Sequence, residues 1–162
     1  MEPLIEIEVL SPDHNRASFL CGVEALDNYF QRQVTQDVRR NMAKYFVAVD
    51  KTNDKVAGFY TLSAGGILLD DLPSDLAKGL PRYPLPVARM GRLAVDLSYR
   101  GRGLGAALLL HALAKAAQAD VKVFALVVDA KDDTAKSFYI RYGFRSYGSL
   151  PLQLILVFPK TR

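Results

Sequence analysis

A glycine-rich loop between a short apolar run and a long Ala/Leu run constrains the fold of this chain most. The stretch reads RLAVDLSYRGRGLG from Arg92 to Gly105 and continues as AALLLHALAKAA. Glycine permits positive φ and a close approach of backbone to ligand. Successive N–H groups then form an anion-binding concavity, the new helix adds its positive dipole end, and Arg100 and Arg102 add fixed charge. This pattern predicts a pyrophosphate-binding loop between a strand and a helix; the alternative is a tight turn that merely needs glycine.

Two known phosphate-binding patterns, the Walker-type loop and the dinucleotide-binding loop, fit this sequence poorly. A Walker-type loop needs Gly-Lys-Ser/Thr, which the sequence does not contain. Gly101, Gly103 and Ala106 match the dinucleotide pattern G-x-G-x-x-A, and Asp120 lies at a suitable distance for a ribose partner. That pattern should follow its strand directly, however, whereas LSYR intervenes after Asp96. Only about two strands remain downstream, too few for a doubly wound sheet around the loop.

Alternating or continuous apolar patterns predict strands elsewhere. LIEIEV alternates apolar and acidic residues, which is typical of a half-buried strand. KYFVAVD and KVAGFYTLSAGGILL, separated by the turn-like KTND, predict a hairpin. The other predicted strands are ARMGRLAVD, the doubly buried VKVFALVVDA, and QLILVF. The proline-rich DDLPSDLAKGLPRYPLP leaves room only for a helical turn or an ordered loop.

Apolar residues spaced three or four apart predict the helices. SFLCGVEALDNYFQRQVTQDVRRN predicts one or two amphipathic helices, which carry Cys21 as a small buried residue. Their apolar positions are Phe19, Val23, Leu26, Tyr29, Phe30 and Val34. The helix after the glycine loop is expected to carry an apolar stripe and, beside it, a polar one: Ala106, Leu110, Leu113 and Ala117, then the surface residues His111, Lys115 and Gln118. DDTAKSFYIRYGF predicts a helix that begins at capping acids and stops at Gly143.

Composition excludes several classes of protein. The 162 residues suit a single α+β domain over residues 1–162. One cysteine excludes an internal disulfide and favours the cytoplasm. That cysteine and two histidines, His14 and His111, cannot build a zinc site of usual spacing, so no metal is expected. The start MEPLIEIEVL lacks the basic region of a secretory signal, and no apolar run approaches the ~20 residues of a membrane span.

Charge is distributed unevenly along the chain. Residues 1–81 hold eight Lys/Arg and twelve Asp/Glu, whereas residues 82–162 hold thirteen and five. A basic second half suits a polyphosphate ligand or a nucleic acid, and a solvated surface without a partner is the alternative. Arg92, inside a predicted strand, is expected to be held by an acid.

A second glycine pattern in the same loop is typical of a known protein family. Arg100, Gly103 and Gly105 fit Arg/Gln-x-x-Gly-x-Gly/Ala, with RLAV before them and FYIRYGF some thirty residues later. With these motifs, and in element order over nearly the whole chain, the sequence resembles the GNAT acyltransferase superfamily. The resemblance implies a mixed, mostly antiparallel central sheet of six to seven strands, splayed in the middle and flanked by helices on both faces. It also implies a cofactor-binding set for acetyl-coenzyme A: Leu93, Ala94, Val95, Arg100, Gly101, Arg102, Gly103, Gly105, Ala106 and Phe138.

The resemblance also implies a direct transfer without a covalent enzyme intermediate. Tyr139 occupies the position of the tyrosine that protonates the departing thiolate, and the N–H of Val95 or a neighbour polarises the carbonyl. Tyrosine, with a reference pKa near ~10, is a proton donor at neutral pH; a purely structural core role is the alternative. No general base stands out. An α-amine, with a pKa near ~7.7–8.0, is partly neutral and hardly needs one.

Longer stretches resemble one branch of this superfamily, the TacT-type toxins of bacterial toxin–antitoxin pairs. They include FLCGVEALDNYF, LPRYPLPVARMGRLAVD and VDAKDDTAKSFYIRYGF. The branch implies acetylation of the α-amine of aminoacyl-tRNA, which blocks translation, together with a homodimer and a ribbon-helix-helix antitoxin that contacts operator DNA. Transfer RNA needs basic phosphate contacts. The candidates are Arg39, Arg40, Lys44, Arg82, Arg89, Arg141 and Arg145.

Two other functions remain open from the sequence. One is a GNAT acetyltransferase for a small amine or for a peptide or protein N-terminus. The other is a non-catalytic coenzyme A sensor or nucleic-acid-binding module on a degenerate fold. The intact Arg100, Gly103 and Gly105 set, together with Tyr139, argues against degeneracy.

Overall fold

The computed structural model describes residues 4–160 and consists of a seven-stranded mixed sheet with helices. Its strands are β1 Ile5–Val9, β2 Lys44–Asp50, β3 Lys55–Ile67, β4 Leu85–Val95, β5 Ala125–Asp129, β6 Arg145–Ser146 and β7 Gln153–Val157. Its α-helices are α1 Glu24–Asn28, α2 Val34–Arg39, α3 Ser74–Ala77, α4 Leu104–Ala117 and α5 Asp133–Arg141. The strand order is β1-β2-β3-β4-β5-β7-β6.

The chain divides into two compact units. The first unit comprises residues 4–63 and Gly91–Ala112, and the second comprises Ala64–Met90 and residues 113–160. Strands β3 and β4 and helix α4 each contribute to both units. The single domain over residues 1–162 stays a prediction, and residues 1–3 and 161–162 lie outside the described residues.

The predicted hairpin forms the centre of the first unit. Strands β2 and β3 pair antiparallel, and β1 pairs antiparallel with the other edge of β2. Strand β2 is buried from Tyr45 to Asp50, because its apolar side chains alternate between two covered faces. On one face, Phe19, Phe30 and Phe59 form a ring cluster with centroids 4.2–5.4 Å apart. Burial of these large rings is a main source of the unit's stability.

The predicted amphipathic helix is interrupted by a π-helical segment. Helices α1 and α2 are joined by Tyr29–Gln33, and Phe30 and Val34 point into the core as their spacing predicted. A π segment inserts one residue per turn and so re-aims the side chains that follow. Phe19 and Cys21 are buried as expected, but they precede α1 rather than belonging to it.

Helix α4 buries a different stripe from the predicted one. Its buried residues are Leu104, Leu108, Leu109, Ala112 and Ala116, whereas the predicted Leu110 is 55% exposed. The prediction was wrong because a helix of Ala and Leu is apolar all round, so its periodicity is ambiguous. His111 is not the surface residue predicted: it is half-buried, and its Nδ1 lies 2.6 Å from the hydroxyl of the fully buried Tyr60.

The second unit is built around β5. Strand β4 pairs parallel with β5 over Val87–Met90, and β5 pairs antiparallel with β7. Residues 125–128 are buried, as the apolar pattern of VKVFALVVDA predicted. Helix α5 begins where the Asp132 side chain accepts the N–H of Ala135, and it ends before Gly143 at φ 99°. The two-residue strand β6 was missed.

Within residues 4–160, no helix combines the length and the apolar character that a bilayer crossing requires. The proline-rich segment holds a 3₁₀ turn and the four-residue α3, as predicted. Its last two residues, Leu85 and Pro86, already belong to β4, which therefore begins before the predicted ARMGRLAVD.

Gly58 on β3 provides a test of packing in the first unit. A Cβ at this position would lie 2.9 Å from the Leu108 side chain of α4 and 3.0 Å from the Ala94 carbonyl oxygen. We expect Gly58→Ala to lower the free energy of unfolding by about 2 kcal/mol, because neither neighbour can move freely. Gly65→Ala on the same strand is the control, since its Cβ would meet only Val87 at 3.6 Å. Equal denaturation midpoints for the two variants would contradict this account.

Candidate functional site

The glycine loop adopts the conformation that an anion site needs. Gly101 and Gly103 have φ of 76° and 77°, which side chains rarely adopt. A Cβ at either position would meet nothing within 4 Å, so glycine is required for its conformation and the space beside the loop is open. Helix α4 follows at once, and the N–H groups of its first turn have no acceptor within the helix. The loop therefore fits a pyrophosphate.

Asp96, at the end of β4, anchors the base of this loop. Its buried carboxylate accepts the N–H and the hydroxyl of Ser98 at 2.9 and 2.6 Å, and the N–H of Leu20 at 3.1 Å. Burial raises the pKa of Asp96, but these hydrogen bonds outweigh it and hold the pKa below its usual value. The carboxylate therefore stays charged and keeps the turn fixed at neutral pH. The D-x-S spacing was the sequence signal for this anchor, and it was overlooked.

Tyr99 fixes the middle of the same segment. The ring is buried, and the hydroxyl donates a hydrogen bond to the carboxylate of Asp50 at the end of β2. Asp50 also accepts the Thr52 hydroxyl at 2.6 Å, so the β2–β3 turn and the loop share one carboxylate. No pattern in the sequence joined these residues, because they are about fifty positions apart.

The two loop arginines have different surroundings. The Arg100 guanidinium donates to the backbone carbonyl of Cys21. Arg102 is exposed, and its guanidinium lies 5.5 Å from the centre of the Tyr99 ring. The sequence predicted that both arginines supply charge to the phosphate site. In the structure Arg100 is hydrogen-bonded to the backbone, whereas Arg102 is exposed beside the Tyr99 ring.

The backbone N–H groups at both ends of the segment Arg92–Asp96 donate hydrogen bonds to β3. The N–H of Arg92 donates to the hydroxyl of Thr61 at 3.1 Å, and the N–H of Asp96 donates to the carbonyl of Ala57 at 2.8 Å. Gly91 lets the hydroxyl come this close, since a Cβ there would lie 3.1 Å from it. Polar backbone groups alternate between the two edges of a strand, so every second residue of the segment faces β3.

The three predicted cofactor-binding residues of β4, Leu93, Ala94 and Val95, therefore divide into two sets. Ala94 has the same parity as Arg92 and Asp96, so its backbone groups face β3. Leu93 and Val95 direct theirs to the opposite edge of β4, beyond the stretch that ends at Met90 and pairs with β5. Two N–H groups on one edge of a strand are suitable donors to a carbonyl oxygen.

Arg92 is held by an aromatic ring rather than by an acid. Its guanidinium lies 3.6 Å from the centre of the Tyr29 ring. The Tyr29 hydroxyl donates to Asp37 at 2.7 Å and lies 2.7 Å from the Tyr45 hydroxyl. Burial is the main cause that raises the pKa of Tyr29, so the ring stays neutral and offers a π face to the cation.

Tyr139 lies on α5 in the second unit and is 7% exposed. Its ring makes edge contacts with Phe138 and Phe144, with centroids 5.3 and 5.5 Å away. Burial raises the pKa of Tyr139 to about 12. The hydroxyl therefore keeps its proton throughout the neutral range. Phe138 is only half-buried, so part of its ring is accessible.

The predicted basic candidates fall into two groups. Two make ion pairs within the second unit: Arg89 with Asp129 at 3.0 Å, and Arg145 with Asp75 at 2.7 Å. Their charge is partly neutralised, which weakens them as phosphate ligands. Arg145 is exposed despite its ion pair, and so are the other five candidates: Arg39, Arg40, Lys44, Arg82 and Arg141. In the described part of the chain, no three His, Cys, Asp or Glu side chains gather as a metal site would require.

Comparison with known proteins identifies the family to which the chain belongs. The profile of the acetyltransferase (GNAT) family matches residues 12–144. The chain is similar to the tRNA-acetylating toxin of Mycobacterium tuberculosis, with 33% identity over 90% of this chain and 87% of that protein. It is also similar to the probable toxin TacT of Sinorhizobium fredii, with 30% identity over 93% of this chain and 89% of that protein.

Solved structures give the same result. AtaT complexed with acetyl-methionyl-tRNAfMet superposes with a TM-score of 0.87 at 29% identity, covering 94% of each chain. AtaTR bound with acetyl-CoA gives 0.80 at 29% identity, covering 94% of this chain and 93% of that one. A mutant AtaT bound to the C-terminus of the antitoxin AtaR and acetyl-CoA gives 0.76 at 26% identity, covering 94% and 92%. The chain belongs to the acetyltransferase (GNAT) family and is an acetyl-CoA-dependent acyltransferase.

Proposed function

We propose that this chain is a toxin that transfers the acetyl group of acetyl-CoA to the α-amine of aminoacyl-tRNA and thereby blocks translation. The proposal rests on one observation: a positive-φ glycine loop at a helix start, in a chain that aligns over 90% of its length with a tRNA-acetylating toxin. Acetylation converts the α-amine into an amide, which cannot act as the nucleophile in peptide-bond formation.

The chain's own groups suit the cofactor. The N–H groups at the start of α4 and the Arg102 guanidinium bind the pyrophosphate, while Leu93 and Val95 supply backbone groups to the pantetheine arm and the carbonyl. When bound, acetyl-CoA supplies an activated acetyl thioester. The other members of the cofactor-binding set stay predictions: Arg100, Gly101, Gly103, Gly105, Ala106 and Phe138, and Ala94 without its backbone groups, which face β3.

Tyr139 is the proposed general acid. A hydroxyl with a pKa of about 12 is protonated at the pH of the cell and can donate its proton to the departing thiolate. Its place in the FYIRYGF motif supports the role. The α-amine of an aminoacyl ester is partly neutral near pH 7, so direct attack needs no strong base.

Partners follow from the same relatives. The exposed basic residues Arg39, Arg40, Lys44, Arg82 and Arg141 are the proposed phosphate contacts to tRNA. AtaT binds the C-terminus of its antitoxin AtaR, and we extend such a partner to this chain as a ribbon-helix-helix antitoxin that contacts operator DNA. We further propose a homodimer that acts in the cytoplasm.

The substrate is tested directly by incubating the protein with labelled acetyl-CoA and total aminoacyl-tRNA. We expect label in the RNA fraction, released by mild alkali because the product is an ester of an N-acetyl amino acid. Deacylated tRNA is the matched control and should take up no label. Label on small amines or peptides without label in the RNA would favour an acetyltransferase of other substrates and contradict the proposal.

The acid is tested with Tyr139→Phe. We expect kcat to fall about 100-fold, because a general acid contributes at least that much to a rate, while the Kd for acetyl-CoA stays unchanged. Tyr142→Phe is the control, since Tyr142 lies at the same helix end and packs against Phe138 but has no role in the proposal. Full activity of the Tyr139→Phe protein would remove the acid role.

A further inference from the structure

The segment Leu20–Gly22 is bound along the base of the glycine loop. The N–H of Leu97 donates to the Leu20 carbonyl at 2.8 Å, and the N–H of Leu20 donates to Asp96 at 3.1 Å. The Arg100 guanidinium closes the arrangement by its bond to the Cys21 carbonyl. Three hydrogen bonds therefore join two segments that lie about eighty positions apart in the sequence, and two of them have a charged partner, the Asp96 carboxylate or the Arg100 guanidinium.

The same segment is attached to helix α1. Cys21 is 2% exposed, and its N–H donates to Asp27 at 2.7 Å. Asp27 is itself buried on α1. Gly22, between them, has φ of 93°, and a Cβ there would lie 3.3 Å from Leu97 and 3.7 Å from the Arg100 guanidinium. Rigid contacts thus run from Arg100 through Cys21 to Asp27 and α1.

Arg102 has no comparable attachment to this segment. It is exposed, and its guanidinium lies beside the Tyr99 ring. The ring face leaves the five N–H donors of the guanidinium available to a phosphate. The surroundings of the two arginines therefore suit different roles: Arg100 is bonded to the protein backbone, whereas Arg102 is exposed and can contact a ligand.

We infer that Arg100 is a positioning residue that couples cofactor binding to helices α1 and α2, and that Arg102 is the arginine that contacts phosphate. This inference rests on the proposed coenzyme A site. A ligand that binds the loop only in its ordered state stabilises that state. It therefore also stabilises any segment that is hydrogen-bonded to the loop only when the loop is ordered. Through Arg100 and Cys21 this includes α1 and, past the π segment, α2 with the exposed Arg39 and Arg40. Cofactor binding thereby orders part of the proposed tRNA-binding surface.

The coupling is measured by hydrogen exchange with and without saturating coenzyme A. In the wild-type protein, we expect the cofactor to slow exchange over residues 20–39. Arg100→Met, which has no donor for the Cys21 carbonyl, should lose most of this protection and keep the wild-type salt dependence of coenzyme A affinity. Arg102→Gln should bind about tenfold more weakly with a flatter salt dependence, because it loses a charged contact, yet show full protection once saturated.

Two further variants guard against a trivial loss of folding. Arg100→Lys retains a donor for the Cys21 carbonyl and should restore protection at least in part. Gly22→Ala disturbs the same contact from the other side without removing an arginine, and it should also abolish protection. Full protection in Arg100→Met, or a salt dependence in that variant flattened as much as in Arg102→Gln, would overturn the inference alone. No coenzyme A binding by the wild-type protein would overturn the proposed site as well.

Discussion

The buried carboxylate of Asp96 is the interaction on which the rest of the site depends. It ends β4, caps the turn that precedes the glycine loop and accepts the N–H of Leu20. Because hydrogen bonds hold its pKa low, the group is an anion wherever the protein is folded near neutral pH. A fixed turn here sets where the loop begins, and the loop sets where the first N–H groups of α4 point.

The local pattern of the chain was sufficient to predict most elements. The hairpin on either side of KTND, the doubly buried β5 and the positive-φ glycines of the loop were all readable, since each depends on neighbouring residues. Strand β6 is only two residues long and carries no periodicity. Helix α4 was assigned the wrong stripe, because Ala and Leu on every side leave its rotation to be decided by contacts with β3 at Gly58.

The site was predictable in its residue types but not in their partners. Glycine and arginine at fixed spacing indicate an anion site, yet nothing in the sequence says that Arg100 reaches the carbonyl of Cys21. The same holds for Arg92, which stacks on Tyr29 instead of meeting an acid. Such contacts join residues far apart in the chain, so they appear only once the fold brings the segments together.

The central claim is that the glycine loop holds the pyrophosphate of the acetyl donor, and calorimetry tests it most directly. Acetyl-CoA is compared with acetyl-pantetheine, which carries the same thioester and arm but no pyrophosphate or nucleotide. The account predicts that acetyl-CoA binds at least about a hundredfold more tightly, because charge-assisted contacts to the loop are lost with the smaller ligand. Equal affinities for the two ligands would contradict it.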